Sequence, residues 1–314
     1  MPKKRITAAK KSQQNVARKV ICQPREAGFL LAFNAMASPC EVLVDSDDKK
    51  LAQKLGDIAA TEAWRIEDKY SRYQQNSVCG QLNLHAGEPC YIDNETFLLL
   101  KFADDCYQMS DGLFDITSGV LRKAWHFDGS DNVPSQAQIE QLLPFIGWHK
   151  TTLTEETFTM QQGMEIDFGG LGKEYAVDRA LQLMSEHTDA PILVNFGGDL
   201  AVNKTRLVNG QAQAWQVGID HPSFSQDKSV LVAMNAGAVA TSGDANRFLL
   251  KKGQRYSHIL NVKTGWPVVH PPSAITVAAP QCIQAGFLAT LALLQGENAE
   301  QFLTEQEIKF WAIR

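Results

Sequence analysis

Cysteine pairs at metal-binding spacing are missing from this sequence: Cys22, Cys40, Cys79, Cys90, Cys106 and Cys282 are scattered, with no C-x-x-C anywhere. In a chain of 314 residues, too large to need staples, scattered cysteines read as reduced thiols. The seven histidines never pair at i, i+4, which excludes a helical H-x-x-x-H zinc site. Long apolar runs are lacking as well. No stretch reaches the ~20 apolar residues of a membrane span, and Val20-Ile21-Cys22 falls short of the roughly 7–15 residues of a signal-peptide core. The cytoplasm is therefore the expected compartment. A basic body is absent too: a net charge of -5 and a pI near 5.8 argue against a nucleic-acid partner. No repeat of 20–50 residues is visible, which excludes solenoids.

What basic charge there is gathers at one end, with eight Lys and Arg from Lys3 to Arg25 before the first acid, Glu26. Residues 1–27 read as a polar, disordered arm and 28–314 as the folded domain. Phe29 to Phe33 and Glu41 to Val44 read as strands about a turn at Ser38-Pro39. The spacing of Leu51, Leu55, Ile58, Ala59, Ile66 and Tyr70 predicts a helix started by Asp47 or Asp48. A second helix is expected from an N-cap at Asn94 to Met109, and a short third one capped by Ser135. Further on, Ile192 to Val194, Trp215 to Ile219, Val230 to Met234, Ala238 to Ala240, Ile259 to Leu260 and Ala274 to Ala278 are short β-rich runs. Helices over Lys173 to His187 and Ile283 to Leu294 accompany them, the latter apolar nearly all round and so buried. The expected class is α+β, with a mostly antiparallel sheet and segregated helices.

The segment with most chemistry is Ile166-Asp167-Phe168-Gly169-Gly170-Leu171-Gly172-Lys173-Glu174-Tyr175-Ala176-Val177-Asp178. A strand end, three glycines, a lysine and then a helix make an anion cradle: backbone N–H groups can approach phosphate oxygens, and helix and lysine add positive potential. A tight structural turn explains the same glycines equally well. The segment is neither a Walker loop nor a G-x-G-x-x-G fingerprint. Val194-Asn195-Phe196-Gly197-Gly198-Asp199 and Ala240-Thr241-Ser242-Gly243-Asp244 are two more glycine turns at strand ends, each a plain hairpin turn if taken alone. Three such turns suggest one shared rim.

In order along the chain stand Met36-Ala37-Ser38, Ser71-Arg72-Tyr73 with Leu82-Asn83, Gly112-Leu113-Phe114-Asp115-Ile116-Thr117, the Asp167 loop, Asn195 to Asp199, Thr241 to Asp244, His258 to Gly265, and Ala285 to Thr290. This series resembles the ApbE family of flavin transferases from residue ~30 to the C-terminus. The resemblance implies FAD as substrate, Mg2+ as cofactor and a target flavoprotein whose Thr or Ser hydroxyl receives FMN as AMP leaves. By position it implies flavin contacts at Met36, Tyr73, Leu113, Phe114, Asp115, Asp167, Lys173, His258 and Ile259, with His258 as catalytic base. Metal ligands are implied at the Gly170 carbonyl and at Thr290.

The sequence departs from the family pattern at several points. The family's metal-binding aspartate is Gly286, Glu174 replaces the glycine after the lysine, Asn261-Val262 replaces Asp-Pro, and Ala37 replaces the first glycine. Losing that carboxylate weakens a magnesium site, so a degenerate, non-catalytic FAD binder is the alternative. Glu174, four residues past Gly170, either compensates as a ligand or simply serves the helix dipole. A remote alternative is a penicillin-recognising serine hydrolase, because Ser46-Asp47-Asp48-Lys49, Ser130-Asp131-Asn132 and Lys263-Thr264-Gly265 spell its motifs in order.

Overall fold

Asp48 starts the first helix, its carboxylate accepting the N–H groups of Lys50 (2.8 Å) and Leu51 (3.1 Å). From there α1 (Lys49–Tyr70) buries Ala52, Leu55, Ala59, Ala63, Ile66 and Tyr70 on one stripe. The computed structural model describes residues 4–5, 18–208, 210–219, 230–243 and 248–314. A short α2 (Val78–Leu84), capped by Ser77, follows, and then α3 (Asn94–Met109). The cap of α3 is Asp93 rather than Asn94: its Oδ1 accepts the Thr96 N–H at 2.9 Å, whereas Asn94 is already helical. Ser135 does cap α4 (Gln136–Leu142), in a capping box with Gln138.

Eight strands form the main sheet: β1 (Ile21–Pro24), β2 (Phe29–Ala35), β3 (Ser38–Val44), β4 (Ile192–Phe196), β5 (Asp199–Val202), β6 (Gly237–Gly243), β7 (Ala274–Ala279) and β8 (Phe310–Ile313). Their order in space is their order in the chain, and every neighbouring pair is antiparallel. This is the expected α+β class. The hairpin turn between β2 and β3 lies at Met36-Ala37, with φ of 52° and 56°, and not at Ser38-Pro39, which are strand residues. Pro39 fits because it sits one step beyond the last β3–β4 pair, where its carbonyl accepts the Gly197 N–H at 3.0 Å.

Side chains alternate across this sheet. Leu31, Phe33, Val42, Val44, Val194, Ala240, Ile275 and Val277 join the core shared with α1, α5 (Gly172–Ser185) and α6 (Cys282–Leu294). Leu193, Val202 and Val239 face the other way, under the hairpin Trp215–Ile219 with Val230–Met234. A third, smaller core gathers Val120, Leu121, Trp125, Ile139, Leu249 and Val262. Helix α7 (Ala299–Glu305) packs beside α6 before the last strand. The expected strand at Ile259-Leu260 is only a single bridge between Leu260 and Pro267; the extended hairpin there is Phe248–Lys251 with Gln254–Ser257.

Most of the expected arm, residues 1–27, lies outside the described residues. Its described parts are strand or are tied to the body. Lys4–Arg5 runs beside Cys90–Tyr91, Ile21–Pro24 forms β1, and Arg18 pairs with Asp68 at 2.6 and 2.7 Å. Edge pairing with β2 supplies the backbone hydrogen bonds that a polar sequence alone does not announce.

Candidate functional site

The loop between Ile166 and α5 is braced from below. Asn83 donates from Nδ2 to the Ile166 carbonyl (3.0 Å) and accepts the Ile166 N–H on Oδ1 (2.7 Å), which explains why an asparagine ends the Leu82-Asn83 motif. Next along the chain, the Asp167 N–H donates to the Ile116 carbonyl at 2.9 Å. The Asp167 carboxylate then accepts the Gly169 N–H (3.0 Å) on one oxygen and the Arg72 guanidinium on the other. Arg72 also donates to the Tyr73 hydroxyl (2.8 Å) and lies 4.9 Å over its ring. Tyr73 is 79% exposed, a free aromatic face at the loop's edge. Arg72 was not among the expected site residues; the only signal was its place between the serine and the tyrosine of a motif.

Leu113, Phe114 and Asp115 come to the same loop by different routes. Phe114 is buried, meets Phe287 of α6 edge-on at 5.3 Å, and lies beside Gly170, where an added Cβ would sit 3.5 Å from its ring. Leu113 is half-buried against the main core. Asp115 is turned inward: its carboxylate accepts the Thr117 N–H (2.8 Å), the Thr117 hydroxyl (2.6 Å) and the Trp148 N–H (2.9 Å). Burial pushes its pKa up, against those donors. With both oxygens engaged inside the protein, Asp115 shapes the Leu113-Phe114 segment.

Lys173, in the first turn of α5, is held by Asp199 at the β4–β5 turn, 2.7 Å from ammonium to carboxylate, and reaches the Gly197 carbonyl at 3.5 Å. Burial alone would lower the lysine pKa, yet Asp199 holds it above its ordinary value. Burial pushes the Asp199 carboxyl up, with Lys173 opposing. The other Asp199 oxygen accepts the Thr241 N–H at 3.2 Å, tying the second glycine turn to the third. Beside Thr241, Ser242 and Thr290 share a hydroxyl hydrogen bond of 2.7 Å across β6 and α6. Asp244, the last residue of that turn's motif, lies outside the described residues.

Helix α6 has no side-chain cap of its own. Asp178 of α5 provides it, accepting the N–H groups of Cys282 (2.8 Å) and Ile283 (2.9 Å). One turn earlier on α5, Glu174 meets Gly286, one turn later on α6: a Cβ there would fall 2.6 Å from Glu174 Cγ and 3.0 Å from its Cδ. Glu174 is 8% exposed and its Oε2 has no hydrogen-bond partner. Burial pushes its pKa up, and neighbouring Asp199 pushes it further.

Met36 sits in the β2–β3 turn, where its N–H donates to Glu67 of α1 at 2.9 Å. His258 is half-buried, with its ring 6.2 Å from Phe127, and the Ile259 N–H donates to Ser257 Oγ at 3.1 Å. Both follow the Gln254–Ser257 strand, which helps line a cleft of about 670 Å³ with Trp266, Val268 and His270. None of the expected flavin contacts lines that cleft. The structure thus joins Tyr73, Asp167, Phe114 and Gly170 in one cluster and Lys173 with Asp199 in another at the start of α5. Met36 and His258 stand on separate elements.

The donors available to a magnesium ion are oxygens. The family resemblance implies the Gly170 carbonyl and the Thr290 hydroxyl, and beside Gly286 lies the buried Glu174 carboxylate with its unpartnered oxygen. A hard cation fits such a set. Among the described residues there is no group of three or more His, Cys, Asp and Glu that could hold a metal ion.

The residues that spelled a serine hydrolase serve local turns. Ser46 Oγ accepts the Asp48 N–H, Ser130 Oγ accepts the Asn132 N–H, and Lys263 N–H donates to Asn261. Trp125 Nε1 donates to the Gly265 carbonyl at 2.9 Å, and Gly265 has φ of 71° with Ile139 2.4 Å from where a Cβ would be. That glycine is needed for close packing of the third core.

The family model described as ApbE matches residues 36–312. The FAD:protein FMN transferase of Vibrio cholerae is 26% identical over 247 residues, 76% of this chain and 73% of that protein. The crystal structure of the ApbE protein of Thermotoga maritima superposes with a TM-score of 0.81 at 28% identity, covering 90% of this chain and 93% of that one. The apo flavinyl transferase ApbE of Pseudomonas stutzeri shares the fold with a TM-score of 0.80 at 22% identity, over 96% and 93% of the two chains. With a family match spanning most of its length and these elements in place, the chain belongs to the ApbE family.

Proposed function

We propose that the protein is an FAD:protein FMN transferase. The observation that carries this reading is that the Asp167 loop runs directly into the N-terminus of α5, whose Lys173 pairs with Asp199 of the β4–β5 turn, within a chain of the ApbE family. A pyrophosphate needs backbone N–H donors and fixed positive charge, because phosphoryl transfer depends mostly on positioning and charge neutralisation. The start of α5 offers free amides and Lys173 a charge whose direction Asp199 fixes. Arg72, already braced by Asp167, presents the exposed Tyr73 ring as a stacking face for an isoalloxazine.

In the reaction, a threonine or serine hydroxyl of the acceptor flavoprotein attacks the phosphorus on the FMN side of FAD. The new oxygen–phosphorus bond forms as the bond to the bridging oxygen breaks, and AMP leaves with that oxygen. His258 accepts the hydroxyl proton. Magnesium, held by the Gly170 carbonyl and Thr290 hydroxyl, would supply neutralising charge for the pyrophosphate. The compartment we propose is the cytoplasm, where thiols such as Cys40, Cys79, Cys106 and Cys282 stay reduced.

The test is AMP release from FAD with magnesium and an acceptor flavoprotein, read together with covalent flavin on the acceptor. His258→Ala should lose transfer and keep FAD binding; loss of binding instead assigns His258 to holding the ligand. The second reading, a non-catalytic FAD holder, is favoured by Gly286, which leaves α6 without a carboxylate at that point. Flavin binding without AMP release would select it.

A further inference from the structure

We infer that Glu174 is the carboxylate of the divalent-cation site, delivered from α5 into the space that Gly286 leaves open on α6. This rests on the flavin-transferase reading and deepens its metal site.

The first support is the state of the side chain. Glu174 is 8% exposed and Oε2 finds no hydrogen-bond partner. A buried carboxylate oxygen without a partner is costly, and such an atom calls for a water, an ion or another partner to complete it. The nearby cation does not complete it, because the Lys173 ammonium is committed to Asp199 at 2.7 Å.

The second support is the fit between the two helices. Asp178 caps Cys282 and Ile283, and Glu174 stands against Gly286, so four-residue steps on α5 match four-residue steps on α6 in the opposite direction. One more step leads to the loop at Gly170 on one side and Thr290 on the other. Phe114 spans that gap, touching both the Gly170 position and Phe287. Glu174 thus stands four residues past Gly170 in the chain and against Gly286, one turn before Thr290 on α6.

The third support is steric. A side chain at residue 286 and the present course of Glu174 exclude each other, since a Cβ would fall 2.6 Å from Cγ and 3.0 Å from Oε1. One carboxylate occupies this place, and it can come from either helix. In this chain it comes from α5. A glutamate serving only the helix dipole would turn towards solvent and would not need a glycine opposite it.

The experiment titrates FAD-saturated protein with Mn2+, an oxygen-seeking stand-in for magnesium, and counts free ion by EPR, so no turnover is required. Flavin fluorescence without metal reports FAD binding separately. Relative to the native chain, Glu174→Gln should weaken Mn2+ binding on the order of a hundredfold, as expected for a direct ligand against the 10–100-fold typical of outer partners. Metal-free FAD affinity should stay unchanged. The double variant Glu174→Gly with Gly286→Asp, which moves the carboxylate to the other helix, should recover Mn2+ affinity to within about tenfold of the native chain. Equal Mn2+ affinity in the native protein and Glu174→Gln overturns the assignment. So does a native protein that takes FAD and ignores Mn2+, which leaves the flavin reading standing. A native protein that does not take FAD overturns the functional reading itself. If the double variant does not fold, the near-isosteric glutamine variant alone decides.

Discussion

Ala37 carries a φ of 56° and Met36 one of 52°, so two residues with Cβ atoms occupy the left-handed region in the two-residue turn between β2 and β3. A non-glycine residue there costs roughly 1–2 kcal/mol, and a glycine gives back about 0.5–1 kcal/mol through its looser unfolded state. Ala37→Gly should therefore stabilise the protein by about 0.5–1 kcal/mol, seen as a higher urea midpoint with an unchanged slope. A lower midpoint would mean the turn is not strained. At this scale a residue leaves a signal in the sequence where its chemistry is local. Asp167 and Lys173 stood out because charge beside glycine at a helix start is a local pattern, and both sit at that loop. Asp115 is among the flavin contacts that the resemblance implies, and its carboxylate accepts from Thr117 and Trp148. A donor 33 residues away in sequence leaves no trace in a motif. Arg72 was missed for the same reason, since its partner Asp167 is 95 residues on.

Helices α1, α3 and α5 are tied together through one carboxylate. Glu95 near the start of α3 accepts from Arg65 (2.5 and 2.7 Å) and Lys69 (2.6 Å) of α1 and from the Tyr175 hydroxyl (2.8 Å) of α5. Burial alone would raise its pKa, but Arg65, Lys69 and Tyr175 bring it down from 4.5 to about 2. A depressed carboxylate stabilises the fold above its unfolded value and loses that contribution as pH falls through its folded value. The advantage of the native chain over Glu95→Gln should thus be full at pH 6, shrink below about pH 4.5 and vanish near pH 2. Allowing for solvent around a half-buried group, the full difference should be about 1–2 kcal/mol in urea unfolding. A difference constant from pH 6 to pH 3 would show that the network adds no charge-dependent stability. Helix α1 was legible from the spacing of its apolar stripe, and the short α4 from its Ser135 cap. Helix α2, equally short, was not, because seven residues fix no apolar period.

The main sheet is an eight-stranded meander whose longest excursion, residues 45–191, lies between β3 and β4. The class was legible from the change in texture along the chain. Which strands become neighbours was not, because β3 pairs with β4 across that whole excursion through contacts that no local pattern encodes. The same topology decides how a ligand acts on stability. The Asp167 loop belongs to the excursion, the turn at Asp199 to the sheet, and Thr290 to the helix that covers it. FAD bound across these parts bridges elements that only the complete fold brings together, so it has nothing comparable to bind in the unfolded chain. At about a hundred times its dissociation constant it should add about 2.7 kcal/mol. For a chain of this length that amounts to a rise in Tm of about 4 °C, as one cooperative transition. Differential scanning calorimetry with FAD, and with AMP alone, checks this. At the same concentration as FAD, AMP, which spans fewer of these elements and so binds more weakly, should give a smaller rise. An equal rise with both ligands would place the binding energy on the adenylate alone and remove the Tyr73 face from the site.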